Sequence, residues 1–116
     1  MTATPPLSRF TCAGPIIFLS GQLARGSDGK IVSGGFAPQA RQALDNVKSA
    51  LAAARCDLRD VVKVTVWLTD ADNNTEFNAI YREYFAEPYP ARSVVVSGLV
   101  APDALIEIEA TAYRGE

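Results

Sequence analysis

Two runs near the end of the chain carry most of the information on its architecture: Pro90-Ala91-Arg92-Ser93-Val94-Val95-Val96 and then Leu105-Ile106-Glu107-Ile108-Glu109-Ala110. Both runs are rich in apolar, β-branched residues, which is typical of β-strands. Because side chains alternate between the two faces of a strand, Glu107 and Glu109 should share one face and the isoleucines the other. The sequence therefore predicts two strands that carry charged residues within apolar runs.

These charged residues indicate a ligand site. Arg92 opens the first strand and, if the two strands pair, its guanidinium lies near a carboxylate of the second strand, Glu107 or Glu109. A guanidinium binds a carboxylate ligand through two parallel hydrogen bonds. A neighbouring carboxylate can accept a proton or orient a water molecule. The pattern predicts a site for a small, negatively charged metabolite.

The hydrophobic pattern upstream predicts six further elements. In chain order, they are an edge strand near residues 8–12, a strand at 16–20, a strand at 30–32 after an Asp28-Gly29 turn, a helix at 36–54, a strand at 61–68 and a helix after Asn73 that Pro88 and Pro90 stop. Asn73 is the predicted N-cap of the second helix, with Glu76 reaching back to it.

The resulting order, β-β-β-α-β-α-β-β, describes an α+β fold in which two helices cover one face of a mixed sheet. The uncovered face would expose valine- and isoleucine-rich strand surface. Self-association normally removes such a surface, so we expect an oligomer.

Composition limits the possible functions. The 116 residues predict a single domain, 1–116. A net charge of −2 and a pI near 5.1 argue against a nucleic-acid partner. Histidine is absent, which excludes histidine-based triads and histidine metal ligands. Residues 1–6 lack the pattern of a signal peptide, and no apolar run is long enough to span a bilayer. Cys12 and Cys56 lie far apart in the sequence and are expected to be free thiols. We expect a cytoplasmic protein with no membrane partner.

Five fragments, spread over nearly the whole chain, resemble the RidA/YjgF family of imine and enamine deaminases, also described as the endoribonuclease L-PSP family. The fragments are Phe18–Gln22, Gln39–Val47, Asp60–Val66, Phe77–Phe85 and the C-terminal pair Pro90–Ser93 with Ile106–Ala110. The resemblance implies a homotrimer of chorismate-mutase-like fold with ligand clefts between subunits. It also implies hydrolysis of 2-aminoacrylate-like imines to 2-keto acids and ammonia without metal or cofactor.

The resemblance also implies roles for individual residues. Arg92 would hold the substrate carboxylate, assisted by backbone groups near Val94, while Ser20 and Gly21 would line the pocket. Glu107 would position or activate the hydrolytic water. The resemblance thus separates substrate binding at Arg92 from water activation at Glu107.

Other positions leave alternatives open. Asn78 is either a pocket residue or a helix residue that bonds a neighbouring segment, and Glu109 is expected to be solvated. Leu7 stands where the family has tyrosine, and Val94 where it has cysteine. Three readings follow: a deaminase of 2-aminoacrylate-like imines, a deaminase of another enamine such as 3-aminoacrylate, or a non-catalytic protein that binds small carboxylates. RNA cleavage is disfavoured by the acidic pI and the absence of histidine.

Overall fold

The computed structural model describes residues 4–115, which form one six-stranded sheet and two helices. The strands are β1 (Phe10–Ala13), β2 (Ile16–Leu19), β3 (Gln22–Leu23), β4 (Val61–Leu68), β5 (Ala91–Val96) and β6 (Ile106–Tyr113), and the helices are α1 (Phe36–Ala53) and α2 (Asn74–Tyr84). The order of elements is the predicted one, and the sheet is mixed. Residues 1–3 and 116 lie outside the described range.

The sheet has the strand order β1-β2-β6-β4-β5, and β3 pairs with β6 beyond the end of β2. Every pairing is antiparallel except that of β4 with β5. Helix α2 carries the chain back to the start of the sheet, which makes β5 parallel to β4. The two charged strands therefore do not pair with each other: β4 lies between them, and β5 is an edge strand.

Helix α1 begins where two glycines allow a backbone that other residues rarely adopt. Gly34 and Gly35 have φ values of 108° and 93°, a region that is strained for residues with a Cβ. The helix ends at Ala53, and the φ of 63° at Arg55 turns the chain so that the Cys56 amide donates to the Leu51 carbonyl at 2.8 Å. Asn46 then ties the helix to the sheet edge by donating to the carbonyls of Leu23 and Arg25, each at 2.9 Å.

Both helices pack on the same face of the sheet. Along β6 the side chains of Ile106 and Ile108 are buried with the helices, whereas those of Glu107 and Glu109 point to the opposite face. We call this opposite face the open face, because no element among residues 4–115 covers it. It exposes a set of large apolar side chains, namely Phe18, Val95 and Tyr113, with half-buried Trp67 between them.

Two local predictions were wrong. The strand expected at residues 30–32 is reduced to one isolated bridge between Arg25 and Ile31, and the third strand is Gln22–Leu23, which pairs with β6 instead. Asn73 makes no capping hydrogen bond with its side chain. Asp70 instead caps a short 3-10 turn that leads into α2, accepting from the Asp72 amide at 2.9 Å.

Two further predictions concern the thiols and the membrane. Cys12 and Cys56 are free thiols, as expected. Neither helix in the described part of the chain is long and apolar enough to cross a membrane.

Candidate functional site

Arg92 lies on edge strand β5, with its side chain on the helix-covered face. Its register partner Val64 is fully buried beneath the helices, which places Arg92 beside α2. One terminal nitrogen, Nη2, donates to Oδ1 of Asn78 at 2.6 Å. The guanidinium carbon also lies 4.7 Å from the ring centroid of Tyr81 and 5.5 Å from that of Phe77. The guanidinium is thus held by one amide and two aromatic rings.

A cavity of about 300 Å³ opens beside this guanidinium. Its lining consists of two arginines, two tyrosines, an amide and a proline: Asn78, Tyr81, Arg82, Tyr89, Pro90 and Arg92. No acidic side chain lines the cavity, and between residues 4 and 115 no carboxylate forms a salt bridge with Arg92. A partly buried cation without a counterion favours the binding of an anion, because ionic hydrogen bonds are stronger away from bulk water.

Glu107 lies on the open face of the central strand β6. Its carboxylate packs against the backbone of Gly21, where a Cβ would overlap Oε2, and its register partner on β4 is Trp67. Burial raises the pKa of the Glu107 carboxyl above its usual range, and the nearby Glu109 carboxylate raises it further. A carboxyl with a raised pKa is a stronger base when ionised, which suits proton transfer near neutral pH.

The other predicted residues divide between these two places. Ser20 and Gly21 follow β2 on the Glu107 side, and the Ser20 hydroxyl donates to the Ser8 carbonyl at 2.5 Å. That bond brings the segment of exposed Leu7 beside Ser20. Val94 lies two residues after Arg92 on the same face of β5, half-buried against the core.

The structure does not bring Arg92 and Glu107 together within one copy of the chain. They point to opposite faces of the sheet, and their strands are separated by β4. Arg92 is level with Val64 and Glu107 with Trp67, so their Cα atoms are about 14 Å apart by standard strand spacings. The sequence-based expectation that the strands of Arg92 and Glu107 pair, and so bring the two side chains together, was wrong. Each copy instead carries the candidate residues in two separate places, which we call the half-sites of the candidate site.

Sequence reasoning missed four cavity residues. No site role was predicted for Tyr81, Arg82, Tyr89 or Pro90. The signal available was spacing: Asn78 and Tyr81 are three residues apart, which places them on one side of a helix. Over residues 4–115, no three His, Cys, Asp or Glu side chains come together as a possible metal site.

Comparison with known proteins identifies relatives of this fold and sequence. Residues 1–114 match the sequence profile described as Endoribonuclease L-PSP. A human protein named 2-iminobutanoate/2-iminopropanoate deaminase is 40% identical over 114 residues, covering 97% of this chain and 83% of the human one.

Two solved structures show the same architecture. RidA from a Psychrobacter species superposes with a TM-score of 0.89 at 33% identity, over 97% of this chain and 91% of that one. Escherichia coli TdcF with bound serine gives a TM-score of 0.88 at 34% identity, over 97% and 91% of the two chains. Since the profile spans almost the whole sequence and these relatives share the fold, the chain belongs to the endoribonuclease L-PSP family, the RidA/YjgF family that its motifs predicted.

Proposed function

We propose that this protein hydrolyses small 2-imino and 2-enamino acids, of the 2-aminoacrylate type, to 2-keto acids and ammonia. The observation that carries the proposal is the partly buried guanidinium of Arg92, which opens on a cavity lined by no carboxylate. The names of relatives about 40% identical, 2-iminobutanoate/2-iminopropanoate deaminases, support the reaction class. The serine bound in TdcF supports a ligand with an amino-acid-like carboxylate.

Arg92 binds the substrate carboxylate in this proposal. Asn78 occupies one of its donors, so the remaining N–H groups of the guanidinium are available for a carboxylate. Binding of the carboxylate fixes the position of the adjacent imine carbon. Holding the reacting carbon in place lowers the entropic part of the barrier to water attack.

Glu107 acts on the water in this proposal. The carboxylate takes a proton from the attacking water and gives it to the imine nitrogen, so a neutral carbinolamine forms. It then takes the hydroxyl proton of the carbinolamine and gives it to the same nitrogen, so the C–O bond becomes a carbonyl, the C–N bond breaks, and ammonia and a keto acid result. The imine carbon is already electrophilic, so one general acid–base group is sufficient for the proton transfers.

The site is completed between copies of the chain. Because Arg92 and Glu107 lie on opposite faces of the sheet, one substrate reaches both only if the cavity of one copy meets the open face of another. The exposed Phe18, Val95 and Tyr113 on the open face favour such packing. We propose the trimer implied by the family resemblance as the assembly that brings the half-sites together.

The direct test is release of 2-keto acid from 2-aminoacrylate generated in the same cuvette by a separate enzyme. We expect the protein to accelerate keto-acid formation over the rate without it and to bind pyruvate in calorimetry. If keto acid is released no faster than without the protein, the proposed hydrolysis is wrong. The calorimetry then shows independently whether the protein binds pyruvate.

A second candidate is a non-catalytic protein that binds small carboxylates. Leu7, with no hydroxyl, favours it, because the half-site around Ser20 and Glu107 then has one polar group fewer. The Leu7→Tyr variant distinguishes the candidates. A weakened deaminase should gain turnover with this variant, whereas a binding protein should show none in either form and should still bind pyruvate.

A further inference from the structure

The guanidinium of Arg92 rests on an aromatic ring that is itself rigidly held. Tyr81 is only 5% exposed, and its ring stacks on Phe85 with centroids 4.5 Å apart and an interplanar angle of 24°. The Arg92 guanidinium carbon lies 4.7 Å from the Tyr81 centroid, within the range of a cation–π contact. The guanidinium therefore contacts an aromatic ring that is held in place by packing.

The contact with Tyr81 reduces the entropic cost of ligand binding by Arg92. An arginine side chain has several rotatable bonds, and ordering it on ligand binding costs free energy. In this structure, the Tyr81 ring and the Asn78 amide order the guanidinium before any ligand arrives. A receptor group that is ordered in advance binds more tightly, because the cost has already been met during folding.

The hydroxyl of Tyr81 contributes little to this arrangement. Its oxygen is buried and has no hydrogen-bond partner among the described residues. Burial raises the pKa of Tyr81 to about 12, although the nearby Arg92 opposes the rise, so the phenol stays neutral in the physiological range. The feature that Arg92 uses is the aromatic face.

We propose that Tyr81 is a positioning residue, whose ring holds the Arg92 guanidinium in the orientation that receives the substrate carboxylate. The inference rests on the proposed function, since it assigns Arg92 to the substrate. It adds the group that orders Arg92 and thereby raises its affinity for the substrate carboxylate. It also requires an aromatic face, and not a hydroxyl, at position 81.

Three variants test the inference. Tyr81→Leu removes the ring, Tyr81→Phe keeps the ring and removes the hydroxyl, and Tyr84→Leu makes the same change elsewhere on α2. Tyr84 is a suitable control, because its hydroxyl donates to Asp45 at 2.8 Å, away from Arg92. Circular dichroism confirms folding of each variant before calorimetry with pyruvate and kinetics with 2-aminoacrylate.

We expect Tyr81→Leu to weaken pyruvate binding by about 3- to 30-fold, the range of a cation–π contact. The KM should rise by a similar factor with kcat nearly unchanged, because the ring acts equally on bound substrate and transition state. Tyr81→Phe should restore the affinity, and Tyr84→Leu should retain it. Equal binding by wild type and Tyr81→Leu, or a loss in Tyr81→Phe as large as in Tyr81→Leu, would overturn the inference.

A ligand-free measurement separates this inference from the proposed function. In a double-mutant cycle on unfolding, at fixed protein concentration, Tyr81→Leu and Arg92→Ala should be non-additive by about 3- to 30-fold in the folding equilibrium constant. An additive cycle would overturn the inference even if pyruvate binds. A wild-type protein that binds no pyruvate but shows a non-additive cycle would overturn the proposed substrate and leave the aromatic contact in place.

Discussion

At the scale of single residues, the charged side chains of Arg92 and Glu107 differ in their surroundings. Arg92 faces an amide and aromatic rings and has no carboxylate partner within residues 4–115. Glu107 faces the backbone of Gly21, and burial, together with the nearby Glu109 carboxylate, raises the pKa of its carboxyl. These surroundings favour the proposed roles, anion binding at Arg92 and proton transfer at Glu107.

Arg92→Ala should weaken pyruvate binding by about 30-fold or more, because it removes the charged partner of a carboxylate at a partly buried site. Calorimetry measures the change. Arg59→Ala is the matched control, since Arg59 is exposed and pairs with Asp57 at 3.0 Å. If Arg92→Ala and Arg59→Ala bind pyruvate equally well, Arg92 does not hold the carboxylate.

Glu107→Gln should lower kcat by about 10²- to 10⁴-fold, the contribution of a general acid–base group. The amide keeps the shape of the side chain but cannot take up a proton, so pyruvate binding should change far less. Glu109→Gln on the same face of β6 is the control and should retain kcat near neutral pH. A Glu107→Gln protein with wild-type turnover would remove this residue from the chemistry.

The pH dependence of turnover should reveal the raised pKa of Glu107. The base form is the ionised one, so kcat/KM should fall as the pH drops through that pKa, at a higher pH than for an ordinary carboxyl. Glu109→Gln removes a nearby like charge and should move this acid limb to lower pH. An acid limb that stays in place in Glu109→Gln would contradict the assignment of the limb to Glu107.

The same raised pKa has a consequence for stability. Because folding favours protonated Glu107, its stabilising contribution is present at low pH and is lost as the pH rises through the folded-state pKa. The neutral glutamine of Glu107→Gln does not lose this contribution. A loss of turnover in that variant is therefore not explained by a charge-related loss of stability at neutral pH.

At the scale of elements, the half-site of Glu107 depends on the break between β2 and β3. Gly21 lies in this break, and the absence of a side chain there leaves room for the carboxylate of Glu107. Asn46 of α1 holds the segment after Gly21 in place by donating to the carbonyls of Leu23 and Arg25. A helix on one face of the sheet thus helps to position a glycine next to a carboxylate on the other.

Gly21→Ala should reduce turnover by about tenfold or more, because the new Cβ occupies the position of the Glu107 carboxylate and a small displacement of a reacting group is costly. Gly98→Ala is the control, since a Cβ at Gly98 meets no atom within 4 Å. Kinetics with 2-aminoacrylate measures both. Equal activity of the two variants would show that the close approach at Gly21 has no catalytic importance.

The long elements could be predicted from the sequence, and the short ones could not. Helix α1 and strands β4 and β6 contain periodic apolar residues over many positions, and such periodicity follows directly from burial of one face. Strand β3 has only two residues, Gln22 and Leu23, which is too short for a periodic pattern. Its pairing with β6 depends on the tertiary structure. Asp70, three residues before the expected cap, was missed because Asn73 is equally suitable as a capping residue.

The candidate site was predicted only in part for the same reason. Arg92, Asn78 and Glu107 stood out by residue type, and Arg92 and Asn78 do lie together. The insertion of β4 between β5 and β6 was not visible from the order of the strands along the chain. Strand order depends on long-range pairing, so the separation of Arg92 from Glu107 required the structure.

At the scale of the whole molecule, one copy of the chain places Arg92 and Glu107, the two charged residues of the candidate site, on opposite sides of its sheet. The side with the helices carries the cation, and the open face carries the acid together with exposed Phe18, Val95 and Tyr113. Apolar surface of this kind is normally buried by association. In a closed ring, each copy would pair its Arg92 with Glu107 of one neighbour and its Glu107 with Arg92 of the other.

Subunit complementation tests this arrangement most directly. Arg92→Ala and Glu107→Gln proteins, each strongly impaired alone at low substrate concentration, are mixed in equal amounts, unfolded and refolded together. If every site combines Arg92 of one copy with Glu107 of another, random assembly makes about one quarter of the sites intact, and about one quarter of wild-type turnover should return. A mixture that stays as inactive as its two components, with mixed oligomers shown by mass spectrometry, would contradict a site shared between copies.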